Sequence, residues 1–95
     1  MKDSRQEGVQ PVQMPLYFFD TRDNGDVVRD DIGVECAGIA DAKVQAARSL
    51  AELALEVLPG SERRCLGVDV RDQGNAPTLV TELTFEARLL AAGAA

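Results

Sequence analysis

The side chains of this chain best suited to chemistry are its carboxylates, and they crowd one short stretch. From Asp20 to Glu35 there are six acids, Asp20, Asp23, Asp26, Asp30, Asp31 and Glu35, against two cations, Arg22 and Arg29. Carboxylates gathered this closely suit either a cation site or a surface for a basic partner. Set against the calcium-loop pattern, Asp20, Asn24, Gly25 and Asp31 fall at its first, fifth, sixth and twelfth positions. Arg22 takes the third, where the ion needs an oxygen, and the flanks read as strands instead of helices. A hairpin turn explains the same letters, so no calcium site is expected. What remains is an acidic edge, Asp23, Asp26, Asp30 and Asp31, either simply solvated or offered to a basic protein partner.

Other chemistry finds little footing. The chain has no histidine, so general-base work falls to carboxylates, and none sits in an apolar context that would raise its pKa. Ser4, Ser49 and Ser61 fall in the N-terminal segment, on a polar helix face and in a turn, none beside a base. No glycine-rich phosphate loop is present. Cys36 and Cys65 stand 29 residues apart. They lack the paired Cys and His partners of a zinc site, and both read as buried small hydrophobic side chains. No enzyme, cofactor or metal is expected on these grounds. The net charge of −6 argues against nucleic acid, whose phosphates call for clustered Lys and Arg. Apolar runs fall far short of the ~20 residues of a membrane span, and the polar N-terminus is no signal peptide. The expected compartment is the cytoplasm.

The element that must organise these residues is Ile39 to Leu58. At about 100° per residue, Asp41, Gln45, Arg48, Ser49, Glu52 and Glu56 share one face, and Ile39, Ala46, Ala47, Leu50, Leu53, Ala54 and Val57 the other. Lys43 projects onto the apolar face, either snorkelling from its edge or paired with Asp30, Asp31 or Glu35. Val44 and Leu55, on the flank, are the most exposed apolar residues. Strands supply the surface the helix needs. Leu16 to Arg22 alternates Tyr17, Phe19 and Thr21 toward the helix with Leu16, Phe18, Asp20 and Arg22 away from it. Asn24-Gly25 turns it into a hairpin with Val27 to Arg29. Asp30 to Gly33 bends, and Val34 to Cys36 leads to the helix. Pro59-Gly60 ends the helix. Cys65 to Arg71 puts Leu66, Val68 and Val70 inward, and Asp72 to Asn75 turns into Thr78 to Phe85. There Leu79, Leu83 and Phe85 face inward and Val80, Glu82 and Thr84 outward. A last helical turn from Ala87, then fraying, completes the reading.

Residues 1–13 are expected to be a disordered leader, since they lack apolar content, and Met14-Pro15 reads as a second start. The domain is expected over 14–90, with a frayed tail over 91–95. The run MPLYFFDTRDNGDVVRDDIGVEC, an Ala-rich helix, and then CLGVDVRDQGN resemble a family of small bacterial domains of unknown function. The shared letters are Met14, Pro15, Tyr17, Phe18, Phe19, Asn24-Gly25, Asp30 to Gly33 with Glu35, and Val70 to Asp72. Gly38 departs from that family, which places an Asp cap there. The resemblance implies a fold and a bacterial cytoplasmic setting, with no activity or site residues. A looser likeness, of architecture alone, is to HicB-type antitoxins, partners of HicA-type RNases.

The fold expected is α+β: ββαββ, a four-stranded antiparallel sheet with one amphipathic helix on one face and Leu16 to Arg22 central. The other face keeps Leu16 and Phe18, joined by Val80, and these three are the candidate interface of a homodimer. The function expected is a non-enzymatic interaction module. The alternative is an antitoxin-like regulator holding a basic protein through its acidic hairpin.

Overall fold

Asn24 and Gly25 force the first reversal. Both take positive φ, 52° and 94°, as the tight turns favoured by Asn-Gly require. They join β1 (Leu16–Asp23) to β2 (Asp26–Val28). In the computed structural model, which describes residues 14–91, the chain then bends at Gly33 (φ 81°). It returns as β3 (Val34–Glu35), antiparallel to the first residues of β1. The helix α1 (Ile39–Val57) follows, ended by a 3-10 turn over Leu58–Gly60 that contains Pro59. The hairpin of β4 (Arg63–Arg71) and β5 (Pro77–Glu86) completes the fold. The expected leader, 1–13, and all but the first residue of the expected tail lie outside the described residues.

The architecture is α+β, an antiparallel sheet with one helix across one face. Its order is β2-β1-β4-β5, with β3 also on β1, so β1 is central as its composition suggests. The sheet has five strands where four were expected. The extra one is the short piece before the helix, which the Asp30–Gly33 bend swings against Leu16 and Tyr17. β5 opens at Pro77, where a missing N–H is least costly. One bulge marks its start, between the pairs Val70–Leu79 and Arg71–Pro77.

The core lies between α1 and the middle of the sheet. Leu66, Val68 and Val70 of β4 are fully buried against Ala42, Ala46 and Leu50 of α1. Tyr17, Phe19, Leu79 and Leu83 pack around them, on the inward faces that alternation assigns. Burial of each large apolar side chain contributes about 1.5–3 kcal/mol. Alanines at 42 and 46 let the helix approach bulky β4 closely, so the buried row is turned slightly from the expected wheel. Ala42 replaces Ala47, which is exposed, and Ile39 stays 47% exposed. The same turn carries Lys43 into solvent. No ion pair joins it to Asp30, Asp31 or Glu35 among the described residues.

Both ends of α1 are fastened by side chains. Gly38 caps the N-terminus with extended backbone and no side-chain bond. Asp41 compensates from the first turn, its Oδ2 accepting the Ala37 N–H at 3.1 Å. At the other end Ser61 Oγ donates to the Val57 carbonyl at 2.6 Å and accepts from Arg64 Nη1 at 2.9 Å. Arg64 in turn grips the Asp23 carboxylate with two bonds, 2.7 and 2.8 Å. The helix terminus is thus tied to the end of β1. Beyond β5, residues 87–90 hold no regular structure in place of the expected helical turn, and Leu89 and Leu90 are exposed.

Candidate functional site

The face of the sheet away from the helix is where the acids of β1 arrive. β1 and β4 each carry Asp-x-Arg outward, Asp20-Thr21-Arg22 and Asp69-Val70-Arg71. Their register sets Asp20 directly opposite Asp69, which alone would be repulsive. The arginines relieve it along the diagonals. Arg71 donates to Asp20 through Nε at 2.7 Å and Nη2 at 3.0 Å. Arg22 donates to Asp69 through Nε at 2.7 Å and Nη2 at 3.1 Å, and its Nη2 reaches the Thr81 carbonyl at 3.1 Å. Two forked ion pairs therefore cross the middle of the face. The Arg71 bonds, outweighing burial, hold the Asp20 carboxyl below the usual carboxylate range.

Asp30 belongs to the same construction. Its carboxylate accepts the N–H groups of Phe19 at 3.0 Å, Ile32 at 2.9 Å and Gly33 at 3.1 Å. Burial alone would raise its pKa, but these three bonds prevail and lower it. Its own N–H binds Asp20 and its carbonyl accepts from Arg71. Of the four residues of the expected acidic edge, Asp23 and Asp30 are thus committed to internal bonds, Asp23 held low in pKa by Arg64. Asp26 and Asp31 remain exposed. Of the letters of the calcium pattern, Asp20 faces Arg71 and Asn24 binds Cys65 through its side chain and backbone. Among the described residues no group of three or more His, Cys, Asp or Glu could hold a metal ion.

Leu16, Phe18 and Val80 do lie on this one face, but not side by side. Leu16 and Phe18 are half-buried. Gly33 sits against both, so close that a methyl group there would come within 2.9 Å of the Phe18 ring. The Arg71 guanidinium lies 4.9 Å from the centre of that ring. Val80, 64% exposed, stands on β5 with Asp69 of β4 between it and β1. Charged β4 side chains separate the expected patch into two. The cysteines separate as well: Cys36 is buried as expected, but Cys65 is not, because alternation along β4 turns it to the open face, where it is half-exposed and its thiol donates to Glu82 at 3.3 Å.

Sequence reasoning missed an apolar concavity on the helix side. Between α1 and β5 runs an open groove of about 560 Å³. Ala51, Ala54, Leu55 and Leu58 form one wall, and Leu83 and Phe85 the other. The signal was present in the exposed flank of the helix. Val44 and Leu55 are 52% and 77% exposed, and the row Val44, Arg48, Ala51, Leu55, Leu58 follows the spacing of four and three that marks a second contact seam.

Residues 16–84 match a domain of unknown function, DUF6894. The chain belongs to this family. No curated protein and no solved structure matches it. The DUF6894 match takes in the Tyr-Phe-Phe, Asn-Gly and Asp-x-x-Gly letters and leaves Met14-Pro15 outside. In the DUF6894 domain those letters build structure: Asn24-Gly25 makes the hairpin, Asp30 and Gly33 shape the bend, and Arg71 anchors Asp20. Asp72 Oδ1 accepts the Gly74 and Ala76 N–H groups, both at 2.9 Å, to close the β4–β5 turn. No helix of the described residues is long and apolar enough to cross a membrane.

Proposed function

We propose that this DUF6894 domain is a non-enzymatic protein-interaction module that works as a symmetric pair of chains. The observation that carries the reading is the groove between α1 and β5, whose lining is wholly apolar. Apolar surface of that kind is what protein partners cover. The polar groups point the same way. Asp20, Asp23 and Asp30 are bonded internally and held low in pKa, the opposite of what a general base near neutral pH needs. The unpaired thiols of Cys36 and Cys65 suit a reducing compartment such as the cytoplasm. Light scattering on the purified chain, from low to high micromolar, tests the pairing. Twice the chain mass supports it, and a monomer throughout removes it.

A second reading, the antitoxin-like regulator, draws on Asp26, Asp31 and Glu35, which are exposed on β2, β3 and the bend between them. It calls for a basic partner whose binding weakens steeply with salt. Pull-down from the host at low and high ionic strength separates the two readings.

A further inference from the structure

The two margins of the sheet are built differently. On one side β1 is covered by two short strands, three residues of β2 and two of β3, with Asp26 and Glu35 on them. Short strands and charges are the usual means of keeping a sheet edge from pairing with another chain. On the other side β5 runs ten residues, Pro77–Glu86, with its bulge confined to the first of them. From Leu79 onward its outer row of N–H and C=O groups has no strand beside it among the described residues. Lysine, the commonest guard of such edges, does not occur in it. The apolar groove opens along this same margin.

We infer that a second copy of this chain pairs along the outer edge of β5, antiparallel about a twofold axis at Leu83, joining the two sheets and closing the two grooves against each other. The inference rests on the symmetric-pair reading and specifies its surface. The self-complementarity of the strand favours a second copy as the occupant. Antiparallel pairing about Leu83 sets Leu83 against Leu83, Thr81 against Phe85, Glu82 against Thr84 and Val80 against Glu86. Apolar residues then meet on the helix side, and no acid faces an acid. Pairing about Glu82 would oppose two carboxylates, and pairing about Thr84 would oppose Glu82 and Glu86, both unfavourable. Strand addition of this kind supplies main-chain hydrogen bonds, and the groove supplies the side-chain contacts that fix the partner. Leu55, otherwise left 77% exposed, and Ala51 then lie beside the twofold-related helix.

The test uses the full chain and two exposed positions whose change should spare the fold, Leu55→Glu in the groove and Val80→Glu on the strand, the second of which would set a carboxylate against Glu86 of the second copy. Circular dichroism confirms folding, and sedimentation gives the dimer dissociation constant. Each variant is expected to raise that constant at least about tenfold, and the double variant to be monomeric at 100 µM. Isotope-edited contacts between Leu83 methyls of two differently labelled chains are expected in the unmutated protein. A dimer whose constant neither variant moves, with no such contacts, overturns this interface and leaves the symmetric pair standing on another surface. A monomeric unmutated chain overturns both.

Discussion

Replacing Asp20 by alanine is the most direct trial of the ion-pair lattice on the open face. The carboxylate accepts three bonds, from Arg71 Nε at 2.7 Å, Arg71 Nη2 at 3.0 Å and the Asp30 N–H at 2.9 Å. Its side chain is 12% exposed and that of Arg71 13%. Fully exposed pairs contribute roughly 0–1 kcal/mol, whereas removing one partner of a buried pair costs about 3–5 kcal/mol. With seven-eighths of each side chain covered, this pair stands near the second case. Arg71 keeps two bonds after the change, to Asn75 at 2.6 Å and the Asp30 carbonyl at 2.9 Å, which moderates the loss. A destabilisation of about 3 kcal/mol is expected. For a domain of this size that lowers the melting temperature by roughly 12–24 °C. Urea unfolding at neutral pH, followed by circular dichroism, measures it. Arg71→Ala should cost far less in the Asp20→Ala background than alone, because the two side chains act together. A loss below about 1 kcal/mol for Asp20→Ala, typical of ordinary surface changes, would refute the claim that the lattice holds β1 to β4.

Two further outcomes follow from the same face. Gly67 lies under the Arg22 guanidinium, and a methyl group there would also stand 2.8 Å from the Thr81 carbonyl. Gly67→Ala should therefore displace Arg22 from Asp69 and cost about 1–3 kcal/mol; an unchanged urea midpoint contradicts this. The depressed pKa values of Asp20, Asp23 and Asp30 bear on acid stability. A carboxyl lowered in the folded state adds stability above its unfolded pKa of about 3.9 and loses it as pH falls through the folded value. These groups should thus leave stability nearly level from about pH 7 to 5 and diminish it below about pH 4.5. Asp20→Asn should flatten the slope, and a urea midpoint equal at pH 6 and pH 3 would contradict it.

What could be read from sequence is what local physics decides. The helix was legible to within a residue because nineteen positions share one periodicity. The first hairpin was legible because Asn-Gly tolerates positive φ where other pairs do not. The inward faces of β1, β4 and β5 followed from simple alternation. β3 was not legible as a strand, because two residues carry no pattern and only backbone pairing defines them. The acid cluster misled for a different reason. Asp23 and Asp30 look like free surface charge until Arg64, 41 residues on, and the Asp30–Gly33 bend are in place. Outward Asp-x-Arg on two strands was visible, and antiparallel neighbours would pair them diagonally. Strand order was the missing fact, and no local signal supplies it.

That lattice also bears on where a second chain can sit. Laying a sheet over the open face would strip water from Asp69 and Arg22, whose side chains are still 32% and 24% exposed. Their bonds are already made within one chain, so a partner there offers little to offset several kcal/mol of desolvation per ion. Phe18 adds no large apolar gain, being covered by Gly33 and Arg71. At β5 the balance reverses. The groups left over are backbone donors and acceptors that can exchange water for another strand without loss of bonds, beside apolar side chains that gain by leaving water. On the proposal that two chains pair, this balance favours the strand that carries Val80 over the one that carries Phe18 as the margin for association.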